Sequence, residues 1–215
     1  MKDLNIGFSD YLEFKDLSLW ACFDSDKTCF VNKLNMVLEN SDKTKDEIEI
    51  KILEVDLKEI TKKLEDLWAK RIFWWWLKDN RYDFDDKGLR KQNIIFRTRE
   101  TSSWNYLTIK KIIENDEITI NKEFEIKIEK INELLLEIKD IWMNLLNEKR
   151  LIKYRLSYEL DWVIFDLDRY DDIPWLLEIE ADSKEKLDEY ITKLWLEKNH
   201  KVNYGYRWLK DLYNL

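Results

Sequence analysis

From Glu47 onward, apolar and polar residues alternate one by one in short runs, the period-two pattern of half-buried strands. The clearest runs are Glu47–Asp56, Asn93–Arg99, Tyr106–Lys111, Ile118–Ile128, Ile152–Leu160, Val163–Asp168 and Trp175–Ala181. Three stretches between them change to helical spacing. Leu57–Lys70 sets Ile60, Leu64 and Leu67 on one face, and Lys130–Leu146 does so with Ile131, Leu134, Leu135, Ile138 and Ile141. Ser183–Leu196 carries Leu187, Ile191 and Leu194 behind a polar start at Asp182 and Ser183. Strands dominate and the helices fall between groups of them, so the pattern predicts an α+β chain built on an antiparallel sheet or barrel. Residues 1–44 show no clean period, and Asn40–Lys45 reads as a polar linker. The expected division is an N-terminal extension over 1–44, of unassigned role, and a domain over 45–215.

Composition narrows the function classes. The chain has 215 residues, 45% of them hydrophobic, which allows one domain with an ordinary core. A net charge of −8 argues against general affinity for nucleic acid or an anionic membrane, though not against a local basic pocket. No apolar run approaches the roughly 18 residues that span a bilayer, and the N-terminus lacks the basic start and apolar centre of a signal peptide. Cys22 and Cys29 form neither a disulfide framework nor a zinc spacing and read as reduced thiols of a cytoplasmic protein. The lone histidine, His200, lies in a polar stretch and reads as a surface residue, which sets aside histidine-based catalysis and His-rich metal sites.

The polar members of the strands carry a pattern of their own. Residues i, i+2 and i+4 of a strand share a face. Glu47, Glu49 and Lys51 project together, and so do Arg97 with Arg99, Glu123 with Glu125 and Lys127, Lys153 with Arg155, Asp166 with Asp168, and Glu178 with Glu180. A sheet with one wet face produces the same alternation. Paired charges of both signs on six successive strands point instead to a closed barrel with its charges inward and its apolar residues outward under the helices. Buried charges must be paired or must coordinate something. A polyanion with a divalent metal satisfies both signs at once.

Several segments, in order, resemble the CYTH superfamily of triphosphate tunnel metalloenzymes, which includes class IV adenylate cyclases, thiamine triphosphatases and inorganic triphosphatases. They are Glu47-Ile-Glu-Ile-Lys51, Arg97-Thr-Arg99, Leu107-Thr-Ile-Lys110, Glu123-Phe-Glu125, Lys153-Tyr-Arg155-Leu-Ser-Tyr158, Asp168 and Leu177-Glu-Ile-Glu180. Ile173-Pro-Trp-Leu-Leu-Glu-Ile-Glu180 is similar to the IP-x-x-LEIE form of bacterial members, and Arg81-Tyr-Asp-Phe84 resembles the segment before their arginine strand. The likeness runs over about 47–213 and leaves the first 44 residues out, so translation starting at Met36 is one reading of them. It implies an eight-stranded antiparallel β-barrel, the triphosphate tunnel, with peripheral helices.

By resemblance, Glu47, Glu49, Glu178 and Glu180, with Asp168 nearby, are the metal carboxylates, and Glu47, Glu49 and Lys51 form the catalytic group. Carboxylate oxygens suit Mg2+ or Mn2+. Lys51, Arg97, Arg99, Lys110, Lys153 and Arg155 would grip the phosphates, with Glu123 and Glu125 orienting the basic side chains or adding a second metal position. The implied partner is a small molecule carrying a triphosphate, with neither nucleic acid nor membrane, and a homodimer is left open. The leading activity is metal-dependent triphosphate hydrolysis. An adenylate cyclase making cyclic AMP from ATP is the enzymatic alternative, and a non-catalytic polyphosphate-binding module is the alternative of another class.

Tryptophan and glycine are out of proportion, with 11 Trp and 3 Gly where average usage would give about 15 Gly. Trp68 and Trp195 follow helix-like runs where a C-terminal glycine belongs, Trp162 occupies an Asp-X hairpin turn, and Trp104 lies in a further turn. One cause covers all four: a gene whose UGA codons mean glycine, read here as tryptophan. Phe73-Trp-Trp-Trp76 is for the same reason not read as an aromatic ligand box.

Overall fold

The computed structural model describes residues 27–115, 118–129, 131–140, 144–145, 151–203 and 205–215. Cys22, Ile141 and the rest of the N-terminal extension before residue 27 lie outside the described residues. The elements run α1 Lys27–Asn40, β1 Thr44–Ile52, α2 Leu57–Asp66, β2 Lys70–Asp83, β3 Ile94–Glu100, β4 Asn105–Asn115, β5 Thr119–Ile128, α3 Ile131–Asp140, β6 Asn144–Leu145, β7 Leu151–Leu160, β8 Val163–Arg169, β9 Leu176–Ala181, α4 Lys184–Lys193, β10 Lys201–Val202 and α5 Tyr206–Leu212. Hydrogen bonding links the strands in the order β10-β1-β5-β4-β3-β2-β7-β8-β9, with β6 on β2. Since β1 also pairs with β9, eight of the strands make an order that returns to its start. This is the antiparallel closed sheet with accompanying helices that the resemblance implies.

The seven expected strands are all present, with ends shifted by a few residues. β2 is the addition. Its run Lys-Arg-Ile-Phe-Trp-Trp-Trp-Leu shows no alternation, because four aromatic residues in succession hide the period. Asn40–Lys45 is not a linker. Ser41–Lys43 make a turn closed by Ser41 N to Val37 O at 3.1 Å and Thr44 N to Ser41 O at 3.0 Å, and β1 begins at once.

The residues divide into two compact units. The first takes Met1–Lys45, Lys78–Ile112 and Lys122–Leu151. Its core sets Phe96, Leu107, Ile109, Phe124 and Ile126 from β3–β5 against Phe30, Val31, Leu34, Val37 and Leu38 of α1. Those positions of α1 recur at three and four residues, so the helix lays a continuous apolar stripe on the sheet. Phe30 meets Phe96 edge to face at 5.9 Å, and Lys111 Nζ donates to Asn35 Oδ1 at 2.7 Å beside it. Cys29, also on α1, is disulfide-bonded, which corrects its reading as a reduced thiol.

The second unit takes Asp46–Leu77, Ile113–Asn121 and Ile152–Leu215. Ile50 and Ile52 of β1, Val163, Phe165 and Leu167 of β8, and Leu177, Ile179 and Ala181 of β9 all point one way, onto Ile60 and Leu64 of α2 and Leu187, Tyr190 and Ile191 of α4. Asp56 caps α2, its carboxylate accepting from Glu59 N at 2.8 Å. His200 is exposed, as its setting predicts.

Candidate functional site

With the apolar residues of the second unit spent on the helix layer, the alternate residues fall on the other face of the same strands. Register sets them side by side: Glu49 opposite Glu180, Lys51 opposite Glu178, Asp166 opposite Glu178, Arg155 opposite Asp168, and Ser157 opposite Asp166. This face is not wet. Glu47, Glu49, Lys153, Asp166 and Asp168 are all buried. Burial on both faces explains why the charges are paired.

Lys51 Nζ lies 2.8 Å from Glu49 Oε1 and 3.7 Å from Glu178 Oε2. Arg155 donates to Asp168 through Nε at 2.7 Å and Nη2 at 2.6 Å, forms an ion pair with Asp166 through Nη1, and approaches Glu178 at 3.7 Å. Lys153 Nζ donates at 2.6 Å to the same Asp168 Oδ2 that accepts from Arg155 Nη2. Burial opposes the Arg155 charge, but Asp166, Asp168 and Glu178 more than offset it, and the guanidinium holds its proton above the usual range. Burial also raises Asp168, yet Arg155 and Lys153 outweigh it and bring that carboxyl below its ordinary value. Asp166 goes the other way: burial pushes it up, against Arg155 and a 2.5 Å hydrogen bond from Ser157 Oγ.

The first unit carries the opposite balance. On its ionic face β3 holds Arg97 and Arg99, with Arg81 opposite Arg97 and Asp79 opposite Arg99 across β2. Arg99 grips Asp79 in a two-pronged contact, Nε to Oδ1 at 2.7 Å and Nη2 to Oδ2 at 2.9 Å. Arg97 sits 3.6 Å from the same carboxylate and 3.8 Å from Glu125, and donates to Thr108 Oγ1 at 3.1 Å. Thr108 in turn donates to Glu125 at 2.9 Å, and Lys110 Nζ lies 3.4 Å from Glu123. Tyr106, opposite Arg99, has its phenol pushed up by burial and by Glu125.

The structure thus gathers Glu47, Glu49, Lys51, Lys153, Arg155, Asp168, Glu178 and Glu180 on one face of the second unit. Arg97, Arg99, Lys110, Glu123 and Glu125 share a face in the first. Sequence reasoning passed over Asp79, Thr108 and Ser157 as contributors. Asp79 follows the aromatic run that hides β2, and the hydroxyls carry no charge pattern. The second unit's face has six carboxylates (Glu47, Glu49, Asp166, Asp168, Glu178, Glu180) against Lys51, Lys153 and Arg155. The first unit's face sets Arg81, Arg97, Arg99, Lys110 and Lys127 against Asp79, Glu123 and Glu125.

The donor chemistry on the carboxylate face fits a hard divalent cation, since every candidate ligand is a carboxylate oxygen and Glu49 stands directly opposite Glu180. Lys51 and Arg155 now sit on part of that oxygen set. Among the described residues, no three acidic, histidine or cysteine side chains converge as ligands would.

An α+β protein of closed antiparallel order, with an apolar face under helices and an ionic face of paired charges, defines the class. No protein-family model matches the chain, and comparison with curated protein sequences finds no match. Solved structures do match it. The PH1012 protein of Pyrococcus horikoshii aligns over 76% of this chain and 98% of its own, at 21% identity and a TM-score of 0.63. A protein of Vibrio parahaemolyticus described as a candidate adenylate cyclase aligns over 77% and 97%, at 15% identity and a TM-score of 0.63. A candidate adenylyl cyclase of Hippeastrum, described as having a dominant triphosphatase activity, aligns over 74% and 91%, at 14% identity and a TM-score of 0.57. The chain shares the fold of these proteins.

Proposed function

We propose that this chain is a CYTH-type enzyme that hydrolyses a triphosphate with Mg2+ or Mn2+. The observation that supports this best is the segregation of charge, carboxylates in excess on the β1–β9–β8 face and cations in excess on the β2–β3–β4 face. A polyphosphate needs cationic forks, and its counter-cation needs carboxylate oxygens. Glu47, Glu49, Glu178 and Glu180, with Asp168, would hold the metal, whose contribution when bound is to neutralise phosphate charge. Arg97, Arg99 and Lys110 hold phosphate oxygens, the arginines as planar forks and the lysine as a compact charge. Lys51, between Glu49 and Glu178, is the cation placed to exchange a carboxylate for a phosphate oxygen. The chemistry asked of the chain is mainly positioning and charge stabilisation.

The test is a product screen over tripolyphosphate, ATP, GTP and thiamine triphosphate, with Mg2+ and Mn2+ compared. Phosphate release dependent on the metal is expected. Cyclic AMP from ATP would replace hydrolysis by cyclisation, and binding without turnover would leave a polyphosphate-binding module.

A further inference from the structure

We infer that Asp79 is the positioning residue for the arginine pair of the first unit, an inference that rests on the phosphate-binding role proposed for Arg97 and Arg99. Two guanidiniums two residues apart on one strand share a face and repel each other. Asp79 answers both: it is only 4% exposed, engages Arg99 by two hydrogen bonds of 2.7 and 2.9 Å, and lies 3.6 Å from Arg97. The two-pronged contact fixes the plane of the Arg99 guanidinium and leaves its remaining N–H donors aimed away from the carboxylate. Glu125 and Thr108 do the corresponding service on the other side of Arg97. The pair is thereby held in one orientation before a ligand arrives.

The sign of one substitution separates this from a general charge effect. Asp79→Asn removes a negative charge beside two arginines, so charge alone makes anion binding tighter. Loss of positioning makes it weaker. Calorimetric titration of the full chain with tripolyphosphate, without metal, is expected to show affinity falling on the order of tenfold in Asp79→Asn. Asp79→Glu, which keeps the charge and shifts it by one methylene, should recover part of that loss. Equal or tighter binding by a folded Asp79→Asn chain overturns the role of Asp79 alone. Absence of binding by the unaltered chain overturns the phosphate reading and this inference together. Should Asp79→Asn fail to fold, Asp79→Glu binding as tightly as the unaltered chain overturns the inference.

A different observation carries a second proposal. Trp68, Trp162 and Trp195 have φ of 64°, 67° and 57°, the left-handed region in which a Cβ meets the neighbouring carbonyl. Each stands in a frame that selects glycine. Trp68 N donates to Glu65 O at 2.9 Å and Ala69 N to Leu64 O at 2.9 Å, closing α2 in a Schellman motif, and Trp195 with Leu196 closes α4 by the same pair of bonds. Asp161, at φ 52°, and Trp162 make the two-residue turn between Leu160 and Val163, where Asp-Gly is the favoured pair. Nor does burial compensate, since the three indoles are 90%, 78% and 77% exposed.

We propose that these three positions are glycine in the polypeptide that its own cell makes, the codon being UGA. Codon reading is the direct test: UGA at all three is expected, and UGG overturns the proposal. Stability is the independent one. Each Trp→Gly change should raise the thermal midpoint of the full chain by about 2–4 °C, whereas Trp→Ala at the same position, which keeps a Cβ, should not. Trp104, whose turn lacks a positive φ, is the control, and Trp104→Gly should give no rise. Equal effects of glycine and alanine at 68, 162 and 195 would overturn the assignment.

Discussion

Arg155 stands among Asp166, Asp168 and Glu178, and each of these acids leans on it in turn. Removing one partner of a buried pair strands the others, so Arg155→Met should cost about 3–5 kcal/mol in denaturant unfolding. Asp168 gives that network its pH dependence. Its folded pKa lies below the ordinary carboxylate value, so its contribution is fully present above about pH 4 and is lost as pH falls through the depressed value. Asp166, raised by burial, has the opposite slope: the folded chain keeps its proton longer, and that contribution fades as pH rises through the raised value. In Asp168→Asn the acid-side loss of stability should shrink, and an unchanged acid slope in denaturant titrations would contradict the assignment. These pairings could not be read in the sequence. Alternation puts Arg155 and Asp168 on ionic faces, but only cross-strand register, set by the Asp161–Trp162 turn, places one opposite the other.

At the scale of elements, legibility followed periodicity. Leu57–Asp66 and Lys184–Lys193 are amphipathic helices packed on a sheet, and their spacing announced them. The strands from β3 to β9 alternate because one face meets helices and the other is ionic, with the two-residue β6 too short to show a period. α1 escaped because its core positions Phe30, Val31, Leu34, Val37 and Leu38 are interleaved with Cys, Asn and Met in a stretch of weak contrast. Its weight in the core is testable. Leu34 is fully buried, so Leu34→Ala should destabilise by about 2–5 kcal/mol. A chain started at Met36 would lack Phe30, Val31 and Leu34 together, and should give broad, poorly cooperative unfolding. A sharp transition at an unchanged midpoint would show that α1 contributes little.

For the molecule as a whole, bulk charge and local charge point different ways. The chain carries a net −8, yet the β2–β3–β4 face holds cations in excess. This division of labour predicts that the two faces fail differently. Glu49→Gln and Glu178→Gln each remove one carboxylate charge from the β1–β9–β8 face, where the proposed metal would sit, while leaving Arg97, Arg99 and Lys110 in place. Turnover that depends on Mg2+ or Mn2+ should fall by at least about a hundredfold, in the range seen when a preorganised charge is lost from a site. Metal-free binding of tripolyphosphate should persist and, with one acid fewer beside Lys51, tighten slightly. Arg97→Met should do the reverse, weakening anion binding before it affects the metal dependence of whatever turnover remains. Steady-state rates over a metal titration, set beside calorimetry on the same variants, decide it. Undiminished turnover in both glutamine variants would remove the carboxylates from the chemistry and leave the β1–β9–β8 face with a structural role only.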